Sequence, residues 1–212
     1  REIKPVAGEL DEKAEFSYDL TRRMGELGLF GMYLPEKYGG QGLDTLSYII
    51  AVEEIARIDG SQAATLAAHN SLGIGPLYEY GTEEQKMKYL PQLCKGDALW
   101  GFGLTEPDAG SDVMAMNSTA EDKGDHWVVN GQKIWTSYAD HADWIFCLVR
   151  TDKENKYQGI TFMLFDMAGE GVSTKPILLI SGSSPFCETF FDDVKVPKSY
   201  GEGIPAQVGQ IN

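Results

Sequence analysis

Cysteine is scarce in this 212-residue chain: there are three, Cys94, Cys147 and Cys187, and no two form a C-x-x-C pair. An odd number so widely spaced makes no disulfide framework, and a reducing compartment is the expected setting. Histidine is equally sparse. His69, His126 and His141 are scattered, without the clustered ligands that a zinc site needs, so no metal is expected. Positive charge is in deficit, with 18 Lys and Arg against 32 Asp and Glu, a formal net charge of −14. That balance argues against nucleic acid or an anionic membrane surface as the main partner, while leaving room for a local basic pocket. No apolar run approaches the roughly 18–20 residues of a membrane span. GxSxG, HExxH and a phosphate loop ending in Gly-Lys-Ser/Thr are all missing. The start, Arg1-Glu2-Ile3-Lys4, is not a signal peptide and lacks a Met. Gln210-Ile211-Asn212 does not resemble a natural end, so a fragment of a longer chain is expected.

What is present is enough apolar material for a core. Apolar residues make up 42% of the chain, which separates it from a disordered acidic tail. Residues 1–98 carry 10 basic and 16 acidic side chains and residues 99–212 carry 8 and 16, so the acidity is spread over solvated surfaces.

The first 98 residues read as helical. Leu20, Met24 and Leu27 recur at i, i+4 and i+7, after which Gly28 and Gly31 let the chain turn away. A short apolar connector at 29–33 leads to the loop Pro35-Glu36-Lys37-Tyr38-Gly39-Gly40. Asp44 is the expected N-cap of a helix carrying Leu46, Ile49, Ile50 and Ile55 and ending near Asp59-Gly60. Ser61 is expected to cap the next, Ala-rich helix, whose small side chains suggest close helix–helix approach. Thr82-Glu83-Glu84-Gln85 fits a capping box with Met87, Leu90 and Leu93 behind it, and Pro91 predicts a kink or break.

Beyond Cys94-Lys95-Gly96-Asp97 the apolar runs become short and rich in β-branched and aromatic residues. Strands are expected at 99–104, 126–130, 144–150, 159–165, 172–177 and 188–192. Cys147 lies in one of these runs and is expected in the core. Asn130-Gly131 reads as a hairpin turn between Trp127-Val128-Val129 and Lys133-Ile134-Trp135. The predicted fold class is α+β and multi-domain. A helical bundle at 1–98 precedes an antiparallel β-barrel or sandwich at 99–212.

Gly201-Glu202-Gly203-Ile204-Pro205-Ala206 matches GxGxxA, but it lacks the strand–turn–helix setting of a dinucleotide site. One segment stands out: Trp100-Gly101-Phe102-Gly103 runs into Leu104-Thr105-Glu106-Pro107-Asp108-Ala109-Gly110-Ser111-Asp112. A strand ends in a hydroxyl, a carboxylate and a proline, and a Gly/Ser loop follows. Such a loop can aim backbone N–H groups at a phosphate or a heterocycle edge. It can equally be a β-turn with an Asx-type hydrogen bond.

These residues resemble the acyl-CoA dehydrogenase family, whose signature reads Leu-Thr-Glu-x-x-Ala/Gly-Gly-Ser-Asp. Four further stretches are similar to the family in the family's order. They are Pro35-Glu36-Lys37-Tyr38-Gly39-Gly40, Tyr80-Gly81-Thr82-Glu83-Glu84-Gln85-Lys86-Met87-Lys88-Tyr89-Leu90-Pro91, Asn130-Gly131-Gln132-Lys133-Ile134-Trp135 and Phe191-Asp192-Asp193-Val194-Lys195-Val196-Pro197. The resemblance implies an N-terminal helical domain, a middle β domain, and FAD held with the help of a C-terminal helical domain. It implies α,β-dehydrogenation of an acyl-CoA thioester in fatty acid metabolism, with hydride passing to flavin N5 and electrons on to an electron-transfer flavoprotein. A cytoplasmic homotetramer or homodimer is the expected setting. A mitochondrial matrix location would require a targeting segment before Arg1.

Site residues follow from the same resemblance. Phe102, Leu104 and Thr105 match positions lining the flavin ring, with the Thr hydroxyl on the pyrimidine side, where it would support negative charge on reduction. Gly110 lets the backbone come close, and Ser111 matches a Ser near the FAD pyrophosphate and the CoA path. Ser111 and Phe102 are also expected to meet the substrate. Trp135, which on chemistry alone reads as core packing, matches the Trp beside the isoalloxazine. Thr136 and Ser137 follow it where many members read Ile-Thr, and Ser137 aligns with the Thr that reaches flavin N5 and O4. Ala139-Asp140-His141-Ala142-Asp143 resembles a bacterial branch of the family.

The segment Leu178-Leu179-Ile180-Ser181-Gly182-Ser183-Ser184-Pro185-Phe186 departs from the family's Lys-x-Gly-x-Arg-x-Ser, which points to an acyl group other than a plain medium-chain one. Residues 199–204 resemble an insertion, and Val208-Gly209-Gln210-Ile211-Asn212 resembles the lead-in to the C-terminal domain. In the family the catalytic base is a Glu of that domain, so no residue here is assigned the role. Glu106 is expected to be structural, holding the loop after the strand. Two other readings remain on the same scaffold: a non-catalytic acyl-CoA/FAD-binding subunit, and a flavin monooxygenase.

Overall fold

The computed structural model describes residues 1–98, 100–198 and 204–205. The chain divides into two units, Arg1–Leu99 and Trp100–Asn212. In the first unit the helices are α1 (Ala7–Lys13), α2 (Tyr18–Glu26), α3 (Thr45–Ala56), α4 (Gly60–Ala68), α5 (Gly75–Tyr80) and α6 (Glu83–Lys95). A 3-10 turn covers Glu36–Tyr38, and a π-helical stretch, His69–Ile74, joins α4 to α5.

Side-chain caps set most helix starts, because the first N–H groups of a helix have no partner inside it. The Asp44 carboxylate accepts from the Ser47 N–H at 2.7 Å. Thr82 and Gln85 form both halves of the capping box. Helix α4 corrects the expectation that Ser61 is its cap: Asp59 accepts from the Ser61 and Gln62 N–H groups, and the Ser61 hydroxyl itself donates to Asp59. A carboxylate takes several bonds at once and outcompetes the hydroxyl. Pro91 does not break α6, which runs unbroken from Glu83 to Lys95. Its neighbours Leu90 and Leu93 are fully buried, and that packing outweighs the one lost backbone bond. Helix α3 forms where expected, yet Leu46, Ile49 and Ile50 are 66%, 50% and 51% exposed. Their periodicity marks a helix without marking a buried face.

Asn70 knits the first unit together. Its side chain is fully buried, and its Oδ1 accepts from the Gly31 N–H at 2.7 Å. Its Nδ2 donates to the Leu29 and Leu66 carbonyls, and its own carbonyl accepts from the Tyr33 hydroxyl. The connector after α2 is thereby fastened to α4. Gly31 has φ 66°, and a Cβ there would overlap the Cys94 sulfur, so both conformation and space demand glycine. Beside Asn70, burial lowers the His69 pKa and the Leu93 carbonyl, 2.8 Å from Nε2, only partly opposes this, so the ring stays neutral.

The second unit is built on a mixed sheet of β1 (Trp100–Gly103), β2 (Thr119–Asp122), β3 (His126–Ser137), β4 (Trp144–Arg150), β5 (Ile160–Asp166), β6 (Val172–Pro176), β7 (Phe186–Pro197) and β8 (Ile204–Pro205). The order is β6-β7-β3-β2-β4-β5-β8, with β1 also paired to β4. Most pairs are antiparallel, but β1 and β2 both run parallel to β4, so the sheet is not wholly antiparallel as expected. The expected strands form, β3 and β7 with longer bounds, and β2 and the short β8 are additional strands. Polar Thr119-Ala120-Glu121-Asp122 carries little strand signal, and only its pairing with β3 makes it one. The core collects Val129, Ile145, Cys147, Val149, Phe165 and Val194. All three cysteines are free and buried.

The predicted hairpin at Asn130-Gly131 is absent. β3 runs straight through it, and the turn before β3 holds Gly124 at φ 96° instead. Opposite Asn130, β7 carries an extra residue: Val129 pairs with Val194 but Gly131 with Phe191. Asp193 sits there at φ 50°. The Asn130 side chain bridges it, donating to the Asp193 carboxylate and accepting from the Asp193 N–H, each at 2.9 Å. Gly131 is required because a Cβ would overlap Ser118. The Asn-Gly pair thus serves a β-bulge in the partner strand.

Replacing Asn70 by Ala leaves one N–H and two carbonyls without their buried partner. The expected loss is about 3 kcal/mol, at about 1 kcal/mol or more for each unsatisfied group. It is read from the urea midpoint, and a midpoint equal to the wild type would refute the knitting role.

Candidate functional site

Residues 100–122 occupy the space between β3 and β4 twice over, first as β1 and then as β2, with an excursion between. Along β1 the faces divide cleanly. Gly101 and Gly103 turn to the core, where a Gly103 Cβ would press on Ile145, Cys147 and the Lys133 stem at 3.0–3.3 Å. Phe102 and Leu104 turn to the other face. Phe102 packs against Phe162 at 5.7 Å, and Leu104 joins the small cluster of Ala109, Met116, Leu148 and Ile160. That cluster gives the excursion an apolar base of its own. The Arg150 guanidinium adds a bond to the Met114 carbonyl at 2.8 Å.

The excursion is closed by a buried ion pair. Glu106 and Lys133 are 4% and 0% exposed, with Lys133 Nζ 2.8 Å from Glu106 Oε1. Glu106 also accepts from the N–H groups of Asn117 and Ser118, so one carboxylate ties the start of the loop to its end. Lys133 donates a second bond to the Leu104 carbonyl at 3.2 Å. Between these anchors the Thr105 carbonyl accepts from the Ile134 N–H at 2.8 Å. Burial pushes the Glu106 pKa up, but hydrogen bonds from Lys133, Ser118 and Asn117 and the Lys133 charge outweigh it and hold the carboxyl below its ordinary value. An ionised, fully engaged carboxylate is a structural element, as expected of Glu106.

Immediately after Lys133 the strand bulges. Lys133 pairs with Thr189 but Thr136 with Cys187, so Ile134 and Trp135 stand opposite Glu188 alone, two residues against one. Trp135 takes φ 62° in this bulge. In a regular strand Lys133 and Thr136 would point to opposite faces. Here both are buried, while Trp135 is 51% exposed and Ser137 is exposed as well. The reading of Trp135 as core packing therefore fails. Its ring meets Phe186 edge-on at 6.1 Å. Thr136 lies on the other face, its hydroxyl buried without a hydrogen-bond partner, so its side chain does not present itself beside Trp135. Gly110 and Ser111 are exposed on the loop, and a Cβ at Gly110 would meet nothing within 4 Å. No described atom of the chain demands glycine at position 110.

Thr105 is half-buried and Ile134 joins it directly to the strand that presents Trp135 and Ser137. A hydroxyl, an exposed indole, a second hydroxyl and an open glycine turn suit a planar heterocycle with an anionic tail. The sequence reading missed Lys133, the residue that joins the two halves. A lysine in an apolar strand was a readable signal, but nothing local pairs it with a carboxylate 27 positions earlier. The formal GxGxxA stretch and residues 199–203 and 206–212 lie largely outside the described residues; Ile204–Pro205 pairs with β5.

Residues 1–97 match the family description "Acyl-CoA dehydrogenase, N-terminal domain" and residues 101–194 match "Acyl-CoA dehydrogenase, middle domain". The chain is 44% identical to a glutaryl-CoA dehydrogenase of Desulfococcus multivorans, over 100% of this chain and 56% of that protein. It is 39% identical to a short-chain-specific acyl-CoA dehydrogenase of Clostridium acetobutylicum, over 96% of this chain and 56% of that protein. Among solved structures, a glutaryl-CoA dehydrogenase from Mycobacterium smegmatis in complex with FADH2 is similar at TM-score 0.84 and 33% identity, over 98% of this chain and 52% of that one. The chain thus spans about half the length of the relatives it matches. No described helix is long and apolar enough to cross a membrane.

Substituting Glu106 by Gln strands the Lys133 ammonium in the interior, and the expected cost at pH 7 is about 3–5 kcal/mol. The folded-state pKa of Glu106 is depressed. Its contribution is therefore present above the ordinary carboxylate value and lost as pH falls through the folded one. Urea midpoints measured from pH 7 into the acid range should fall less steeply for Glu106→Gln than for the wild type. Parallel curves would refute the assignment.

Proposed function

Because the chain belongs to the acyl-CoA dehydrogenase family, we propose that the protein carrying it binds FAD and dehydrogenates an acyl-CoA thioester across the α,β bond to a trans-2-enoyl-CoA. The observation that carries this reading is the juxtaposition built by β3: the Thr105 segment is bonded to Lys133 and Ile134, and the same strand then exposes Trp135 and Ser137. The complex of a similar protein with FADH2 supports the cofactor. The names of two similar relatives, glutaryl and short-chain, support a short acyl group. When bound, the flavin supplies the hydride acceptor.

This chain's own residues hold and orient. Phe102 and Leu104 offer an apolar floor and Trp135 an aromatic wall. The Thr105 and Ser137 hydroxyls offer hydrogen bonds to a ring edge, where they can stabilise charge that develops on reduction. Gly110 and Ser111 lie open to an anionic tail. Thr136 contributes through its backbone at most, since its side chain is buried. Glu106 is not the base that takes the α-proton, because it is buried, ionised and already accepts three hydrogen bonds. Electrons pass on to an electron-transfer flavoprotein.

The whole protein is expected to purify yellow, and anaerobic addition of butyryl-CoA or glutaryl-CoA is expected to bleach the flavin band. Trp135→Ala and Ser137→Ala should each weaken FAD binding, with the unfolding midpoint of the flavin-free protein unchanged. A colourless protein, or a flavin that no acyl-CoA reduces, would sink the enzyme reading.

A further inference from the structure

We propose that Lys133 is a positioning residue for the flavin, setting Thr105 against Trp135 and Ser137. The inference rests on the FAD reading above. Lys133 is fully buried, touches no solvent, and divides its ammonium between two acceptors that flank one residue: the Leu104 carbonyl at 3.2 Å and the Glu106 carboxylate at 2.8 Å. The residue between them is Thr105, whose own carbonyl is held by the next residue of β3, Ile134. Three bonds from two adjacent residues of one strand therefore fix the three-residue segment that carries the hydroxyl. Those two residues lead straight into the bulge that turns Trp135 outward at φ 62° and exposes Ser137.

The sequence makes room for this arrangement. Gly103 sits under the lysine stem, where a Cβ would come within 3.3 Å of Lys133 Cγ. Gly131 lets β3 approach Ser118, whose N–H binds the same carboxylate. A plain structural ion pair would need Glu106 alone as its partner. The second bond to the Leu104 carbonyl is what extends the hold across Thr105. A neutral replacement of the pair would therefore keep the core packed while releasing the hydroxyl.

The test uses the whole flavoprotein and separates folding from flavin geometry. The double variant Lys133→Met/Glu106→Gln removes both charges together, so no buried charge is left unpaired. The positioning role predicts that it folds, keeps a cooperative thermal transition, and binds FAD at least tenfold more weakly. The two-electron potential of its bound flavin should fall, because a displaced Thr105 hydroxyl no longer stabilises the reduced form. A second double variant, Lys133→Gln/Glu106→Gln, also leaves no buried charge but keeps one side-chain donor for the Leu104 carbonyl, and should recover part of the affinity and of the potential. It decides the matter by the same criterion if the first double variant does not fold. Wild-type affinity, absorption spectrum and potential in either variant would overturn the inference and leave the FAD reading standing. A colourless wild type would overturn the FAD reading and this inference with it.

Discussion

The Lys133–Glu106 pair is the constraint on which the β unit depends. Two charges with almost no access to water are stable there only because their remaining capacity is used. Glu106 takes three donors and Lys133 a second acceptor. The geometry of those partners dictates much else. The loop must return so that Asn117 and Ser118 meet the carboxylate, β1 must carry glycine where the lysine stem passes, and β3 must carry Gly131 where it crosses Ser118. Removing any one of these leaves a buried charge or a steric overlap, so the features stand or fall together.

Irregularity in β3 does the rest. A strand with strict alternation would place Lys133, Trp135 and Ser137 on one face and Thr136 on the other, and so could not bury the lysine while exposing the indole. The bulge at Ile134-Trp135 reconciles a buried lysine with an outward indole two residues further on. Its counterpart in β7, held by the Asn130–Asp193 side-chain pair, restores the pairing beyond. Two offsets in opposite strands keep the long β3–β7 ladder aligned at both ends while its middle is bent.

Much of this was legible in the sequence. The helical character of residues 1–98, the Asp44 cap and the Thr82–Gln85 box follow from local hydrogen-bond chemistry, and the structure contains them. The signature Leu104–Asp112 stood out because hydroxyl, carboxylate, glycine and serine cluster there. Other features depended on partners far away in the chain. Asn130-Gly131 carries the local signal of a turn, but the pairing of Asn130 with Asp193 overrides it. Thr119-Ala120-Glu121-Asp122 becomes a strand only against β3. Asp59 beat Ser61 to the cap because a carboxylate can take two N–H groups where a hydroxyl takes one.

The same logic bears on chemistry. A carboxylate serves as a general base only if a lone pair and a path to the substrate proton are free. Glu106 lacks the path: it is buried, three donors already occupy its oxygens, and its affinity for protons is lowered by the very bonds that fix the loop. A group tuned to hold a loop cannot also be tuned to take up a proton near neutral pH, since the two tasks need opposite pKa shifts. The conspicuous acid of the signature is thus spent on architecture. What the β unit presents outward is an indole, hydroxyls and open backbone, a set suited to binding and to stabilising charge and not to taking up a proton.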